Sequence, residues 1–150
     1  MSRKIVTRRA NPKRPRENEE GLTKAVADFL DVALAKGSTF THVASGGYRP
    51  GGERGRMHGQ GVRRGCPDFV IVARRAVDDF GFRSHVVVFI ELKTASGALE
   101  AAQETWRDAL KAAGAWWFLC RSVEEVEAAL RDAGASLKAE IGKTKKPPAR

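Results

Sequence analysis

The chain is poor in cysteine, in aromatic residues and in long apolar runs, and its first sixteen residues contain no acid. Its two cysteines, Cys66 and Cys120, stand far apart with no CxxC or Cys/His ligand spacing, which excludes a disulfide framework and a zinc site. Both read as small hydrophobes packed in a reducing compartment. No apolar run approaches the roughly 20 residues needed to cross a bilayer, and MSRKIVTRRANPKRPR lacks the apolar segment of a secretory signal. The expectation is a soluble, cytoplasmic protein with no membrane partner, nucleoid-associated in a bacterial or phage setting.

Positive charge is what the chain has in excess. The formal net charge is +9, of which residues 1–16 carry +7 and residues 135–150 carry +4, leaving the residues between them slightly acidic. Both ends contain proline and few large apolar residues, so they read as disordered basic arms around one domain at residues 17–134. Such arms attract polyanions through counterion release, and nucleic acid is the default partner. Basic tails alone do not separate that partner from an anionic membrane surface or a solubilising role.

Within the domain, Leu22, Val26, Phe29, Leu30, Ala33 and Leu34 recur at helical spacing, predicting a helix over residues 19–36 with Asn18 as N-cap and Gly37 just past its end. A strand near 39–44 leads into a glycine- and arginine-rich segment without a period, read as a long loop. Strands over 69–73 and 86–93 are joined by a turn near Asp78, Asp79 and Gly81. A helix over 100–113 follows, then AWWFLC at 115–120, apolar on both faces as in a strand covered on both sides. Ser122 and Glu125 form a capping box that opens a last helix ending at Gly134. The order predicts an α/β domain with helices flanking a mixed central sheet.

The polar residues in this frame carry the chemistry. Side chains alternate across a strand, so Glu91 and Lys93 share one face while Leu92 enters the opposite layer. If the two strands pair as a hairpin, Asp68 at the start of the first lies beside Glu91 and Lys93 at the end of the second. Two carboxylates brought together repel unless a proton or cation joins them, and hard oxygen ligands select Mg²⁺. Such an ion polarises a phosphoryl group, and Lys93 can stabilise the charge that grows in its transition state. Glu19 falls on the helical face of Leu22 and Val26 and is expected to point inward. Gln103 sits on the apolar stripe of Leu99, Trp106 and Leu110, where an amide needs polar partners. Taken singly, a Glu and a Lys two apart on a strand are most often a surface pair, and Pro-Asp is most often a turn.

In this order G-C-P-D, then I-E-L-K, resembles the PD-(D/E)XK nuclease superfamily. The flanks narrow the resemblance to the VRR-NUC (virus-type replication-repair nuclease) family: an inward Glu in the first helix, H-V-A-S-G-G-Y-R, G-V-R-R-G-C-P-D, and a Gln in the next helix followed by A-A-G-A. It spans roughly residues 17–130. Cys66 departs from the usual Val, and the helix before Gln103 opens at Glu100 without the usual Ser or Thr cap. The resemblance implies a restriction-endonuclease-like core and a metal-dependent nuclease that cuts DNA. It implies that Asp68, Glu91, the Leu92 carbonyl and Glu19 hold Mg²⁺ or Mn²⁺, that Lys93 is the catalytic lysine, and that Gln103 lines the site.

The loop at 46–65 carries Arg49, Arg54, Arg56, Arg63 and Arg64 against Glu53. Arginines separated by glycines suit bidentate phosphate contact, and Tyr48 is a candidate for base stacking. His42 fits a structural hydrogen bond or a catalytic role equally. By analogy with family members that stand alone at this size, the expected substrate is branched DNA, a Holliday junction or flap met in replication and repair, cut by a homodimer. The alternatives are a DNA-binding protein with a decayed site and a restriction-type nuclease that reads sequence. The first leaves no chemical reason for Asp68, Glu91 and Lys93 to stand together, and the second needs a recognition segment for which the chain has little room.

Overall fold

The computed structural model describes residues 19–44 and 51–138. The expected arm at 1–16, residues 139–150 of the tail, and Tyr48 and Arg49 lie outside the described residues. Among them the order is α1 (Glu19–Ala33), β1 (Thr39–His42), α2 (Gly51–Gly59), β2 (Phe69–Arg74), β3 (His85–Leu92), α3 (Ala101–Ala112), β4 (Trp116–Cys120) and α4 (Val123–Asp132). The sheet runs β1-β2-β3-β4, antiparallel through the first three strands and parallel between β3 and β4. It is the mixed sheet flanked by helices that the sequence predicts.

Alternation along the strands decides which side chains meet. Phe69, Ile71 and Ala73 of β2 stand opposite Ile90, Val88 and Val86 of β3, all buried on one face. Against that face pack Val26, Phe29, Leu30 and Ala33 of α1, with Val126, Ala129 and Leu130 of α4. These positions recur every three or four residues, so each helix offers one apolar stripe. Burial of each large aliphatic side chain here contributes on the order of 1.5–3 kcal/mol. The opposite face is covered less completely, by α3 on the β4 side, and Val87 remains 41% exposed there. The β2–β3 turn is built on Asp78, whose Oδ1 accepts from the amides of Phe80 at 3.0 Å and Phe82 at 2.8 Å. Gly81 closes it at a φ of +82°, open to glycine at little cost.

Four sequence expectations need correction. The segment read wholly as loop contains α2; GGERGRMHG has four glycines in nine residues and no apolar face, so no period betrays it. The first helix ends at Ala33 rather than 36, because Leu34 leaves to form an antiparallel bridge with Leu137. β4 is not covered on both sides: it is an edge strand, with Trp116 36% exposed and stacked on Phe118 at 6.1 Å. Finally, residues 135–138 are not part of a free tail. Ala135 bridges Arg75, Ser136 N donates to Arg74 O at 2.7 Å, and Lys138 N donates to Ala33 O at 2.6 Å. Two apolar residues in alternation, Ala135 and Leu137, suffice to fasten this segment across the end of α1 and the edge of the hairpin.

Truncation tests that strap. Removing residues 135–150 is expected to cost about 2 kcal/mol more stability than removing 139–150, from lost backbone bonds and Leu137 burial. Urea unfolding of the two shortened chains measures the difference; equal midpoints would show that the strap contributes nothing.

Candidate active site

The end of the sheet opposite the strap is where the polar residues gather. Because β2 and β3 are antiparallel with Phe69 opposite Ile90, the next pair outward is Asp68 and Glu91. The Asp68 Oδ2 accepts from Leu92 N at 2.7 Å, and the Asp68 carbonyl accepts from Val43 N at 2.7 Å. Asp68 therefore ties the ends of three strands together. Leu92 is fully buried in the core layer, whereas Glu91, also withdrawn from water at 1% exposure, points to the other face with Lys93. The Lys93 Nζ lies 3.2 Å from Glu91 Oε1. Gln103 Nε2 donates to that same Oε1, and Gln103 Oε1 accepts from Glu100 N at 2.9 Å, capping the first turn of α3. Glu100 and Gln103 thus open α3 as a capping box where a Ser or Thr cap is absent, and the one Gln103 amide serves both the helix end and the buried acid.

Electrostatics follow from this crowding. Burial first, and the Asp68 charge second, push the Glu91 carboxyl up to about 7, against the opposing hydrogen bond and charge of Lys93. Burial likewise raises Asp68, partly offset by the Leu92 amide and by Lys93. The Cys66 thiol is raised by burial and by Glu91 and Asp68, which disfavours the thiolate and fits packing rather than nucleophilic attack.

Asp68, Glu91, Lys93 and Gln103 are brought together; the other expected residues stand differently. Glu19 is exposed, not turned into the core, although its charge adds to the upward shift of both carboxylates. Helical phase gives a direction around the axis, not whether neighbouring chain covers the position, and Glu19 opens the helix. His42 lies against the Phe69 ring at 5.2 Å. Arg56 is exposed on α2, Arg63 Nη1 donates to His58 O at 2.9 Å, and Arg64 is paired with Glu100 at 3.1 Å rather than free. The side chain of Arg54 lies outside the described residues. Trp106, which sequence patterning assigns only to an apolar stripe, donates its indole N–H to the Arg64 carbonyl at 3.0 Å.

The donor set bears on a cation. Among the described residues, no three His, Cys, Asp or Glu side chains cluster closely enough to hold one metal ion. Two carboxylates do meet, and their bonds fall on Glu91 Oε1 and Asp68 Oδ2, leaving one oxygen on each. That pair of hard oxygens, on one buried and one half-buried carboxylate, fits Mg²⁺, which commonly takes one or two carboxylates and completes its shell with water and substrate phosphate.

No family model matches the chain, and no curated protein matches it. Among solved structures it is similar to one described as a "VRR_NUC domain protein", with a TM-score of 0.58 over 79% of this chain and 90% of that one, at 18% sequence identity. The likeness shows a shared fold, as the sequence resemblance implies. Among the described residues, no helix is long and apolar enough to cross a membrane.

The raised Glu91 carboxyl has a measurable sign. A group whose folded pKa exceeds its unfolded value contributes stability that is complete below the unfolded pKa, 4.5, and is lost as pH rises through about 7. In chelator, wild type should therefore lose stability relative to Glu91→Gln across that window, by on the order of 2–3 kcal/mol. Parallel stability curves for the two proteins from pH 4.5 to 7 would contradict the buried, crowded state of Glu91.

Proposed function

We propose that the protein is a DNA endonuclease that hydrolyses phosphodiester bonds with Mg²⁺ or Mn²⁺. The observation that carries this reading is the meeting of Asp68, Glu91 and Lys93 at one end of the sheet, with Glu91 buried. In this reading Asp68 and Glu91 hold the ion through their remaining oxygens, the Leu92 carbonyl adds a backbone ligand, and Glu19 stands at the rim as a further acid. When bound, such an ion polarises the phosphoryl group and eases deprotonation of the attacking water. Lys93 donates to a non-bridging phosphate oxygen or to that water, stabilising charge that develops at the reacting centre. Gln103 holds Glu91 by one oxygen and keeps its carboxylate oriented.

Substrate binding falls to the cationic segments. Arg49, Arg54, Arg56, Arg63 and Arg64 contact phosphates, Tyr48 stacks on a base, and the basic arms at 1–16 and 139–150 add affinity that depends on salt. The Arg64–Glu100 pair is exposed on both sides, so exchanging the carboxylate for a phosphate costs little. The substrate is branched DNA, a Holliday junction or flap, cut in the cytoplasm or nucleoid during replication or repair. Symmetric cutting of a four-way junction takes two sites and hence a homodimer.

Cleavage of labelled single strand, duplex, flap and four-way junction, with Mg²⁺, with Mn²⁺ and with EDTA, tests the reading. Wild type should cut only with metal, and Asp68→Ala and Lys93→Ala should each fall by at least about a hundredfold while still binding DNA. Comparable turnover by both variants would overturn the assignment. Deleting residues 1–16 should weaken binding and lower the slope of log affinity against log salt by up to about 6, without moving the cut. A displaced cleavage position in that deletion would mean that the arm, and not the folded domain, selects the bond.

A further inference from the structure

The residues at 64–67 belong to no strand or helix, yet they deliver Asp68 to its place beside Glu91. What holds them is α3. The Trp106 Nε1 donates to the Arg64 carbonyl at 3.0 Å. Gly65, at a φ of +82°, runs so close to the first turn of α3 that a Cβ there would stand 2.4 Å from the Ala102 carbonyl carbon and 2.8 Å from Gln103 N. The same turn carries Gln103, bonded to Glu91. Trp106 lies three residues beyond Gln103 and so on the same side of the helix. One helix thus grips both carboxylate-bearing segments, Glu91 through Gln103 and the approach to Asp68 through Trp106 and Gly65.

We infer that Trp106 is a positioning residue which, through the Arg64 carbonyl and the 64–67 segment, fixes where Asp68 stands relative to Glu91. The inference rests on reading those two acids as the cation-binding pair. Gly65 alone brings the segment against the helix but leaves it free to slide, since a glycine in van der Waals contact offers no directional bond. The indole N–H supplies the direction. A small hard cation tolerates little error in ligand placement, so a shift well under an ångström at Asp68 reaches the chemistry without touching the fold.

Two substitutions separate the N–H from the bulk of the ring. Trp106→Phe keeps a six-membered ring and loses the donor; Trp106→His keeps a ring N–H at the equivalent five-ring position and loses the second ring. Three quantities are read on the full chain: Mn²⁺ affinity by calorimetry, amide exchange over residues 64–69, and kcat separately from KM on the preferred DNA. Trp106→Phe should weaken Mn²⁺ binding about tenfold, quicken exchange over 64–69 but not in β4 or α4, and lower kcat about tenfold with KM unchanged. Trp106→His should recover part of each loss. Wild-type Mn²⁺ affinity and kcat in Trp106→Phe overturn the inference while leaving the nuclease reading intact, and if that variant fails to fold, Trp106→His decides in its place. Should wild type itself neither bind Mn²⁺ nor cut DNA, the nuclease reading fails separately. The exchange measurement then decides whether Trp106 holds the segment, and unchanged protection over 64–69 rejects it.

Discussion

Glu91 is held out of water beside Asp68, and two carboxylates in such a place repel one another and lose their hydration together. Withdrawing one carboxylate from water costs several kcal/mol even after the surroundings relax. Lys93 and Gln103 offset part of that cost at Glu91, and the Leu92 amide offsets part of it at Asp68. The remainder is borne by the packed face beneath, where Phe69, Ile90 and Leu92 anchor the very strand ends that carry the acids. Because Phe69 and Ile90 are register partners, the acids remain neighbours at the strand ends, and only finer placement is left to the segment before Asp68. The carboxyl pushed up to about 7 records this unfavourable setting, since burial and the neighbouring Asp68 both disfavour its charged form.

Topology explains why the helper residues come from α3. Parallel strands cannot be joined by a tight turn, so the chain must cross over from β3 to β4, and it does so through α3. In such a unit the helix begins at the end where the first strand finishes. Gln103 in the first turn therefore stands over Glu91, and Trp106 reaches the segment before β2. The other pole of the sheet closes the domain. Residues 135–138 bond there to Arg74 and Ala33, and Arg75 Nη2 donates to Ala133 O at 3.2 Å near the end of α4. The carboxylate cluster and the closing strap thus occupy opposite ends of the same strands.

Charge is distributed on the same plan. The net positive charge belongs to the two ends of the chain, whereas the residues between them carry a slight acidic excess. Among the described residues, cations near the site have partners: Lys93 on Glu91, Arg64 on Glu100, Arg121 Nη1 on the Thr94 carbonyl. Lys93 is only 14% exposed at its side chain, whereas Arg64 is 84% exposed, so the first interaction is strengthened by desolvation and the second is weak and exchangeable. This end of the sheet thus presents a loosely committed arginine at its surface and a firmly held lysine within.

The sequence by itself determined the order of the elements other than α2, the core stripes and the placing of Asp68 beside Glu91 and Lys93. Periodicity, β-branched runs and alternation are local properties, and a hairpin links its two ends through register alone. It was mute on α2, whose glycines carry no period, and misleading on the two-sided cover of β4 and on the burial of Glu19. It also left residues 135–138 outside the domain, because two apolar residues are too few to announce a packed segment. Only the tertiary structure decided that Gln103 bonds to Glu91, that Arg64 is paired with Glu100, and that Trp106 donates to the Arg64 carbonyl. Those contacts join residues 12, 36 and 42 positions apart. Hydrogen bonds between groups so distant along the chain depend on the packing of whole elements, and no local pattern encodes it.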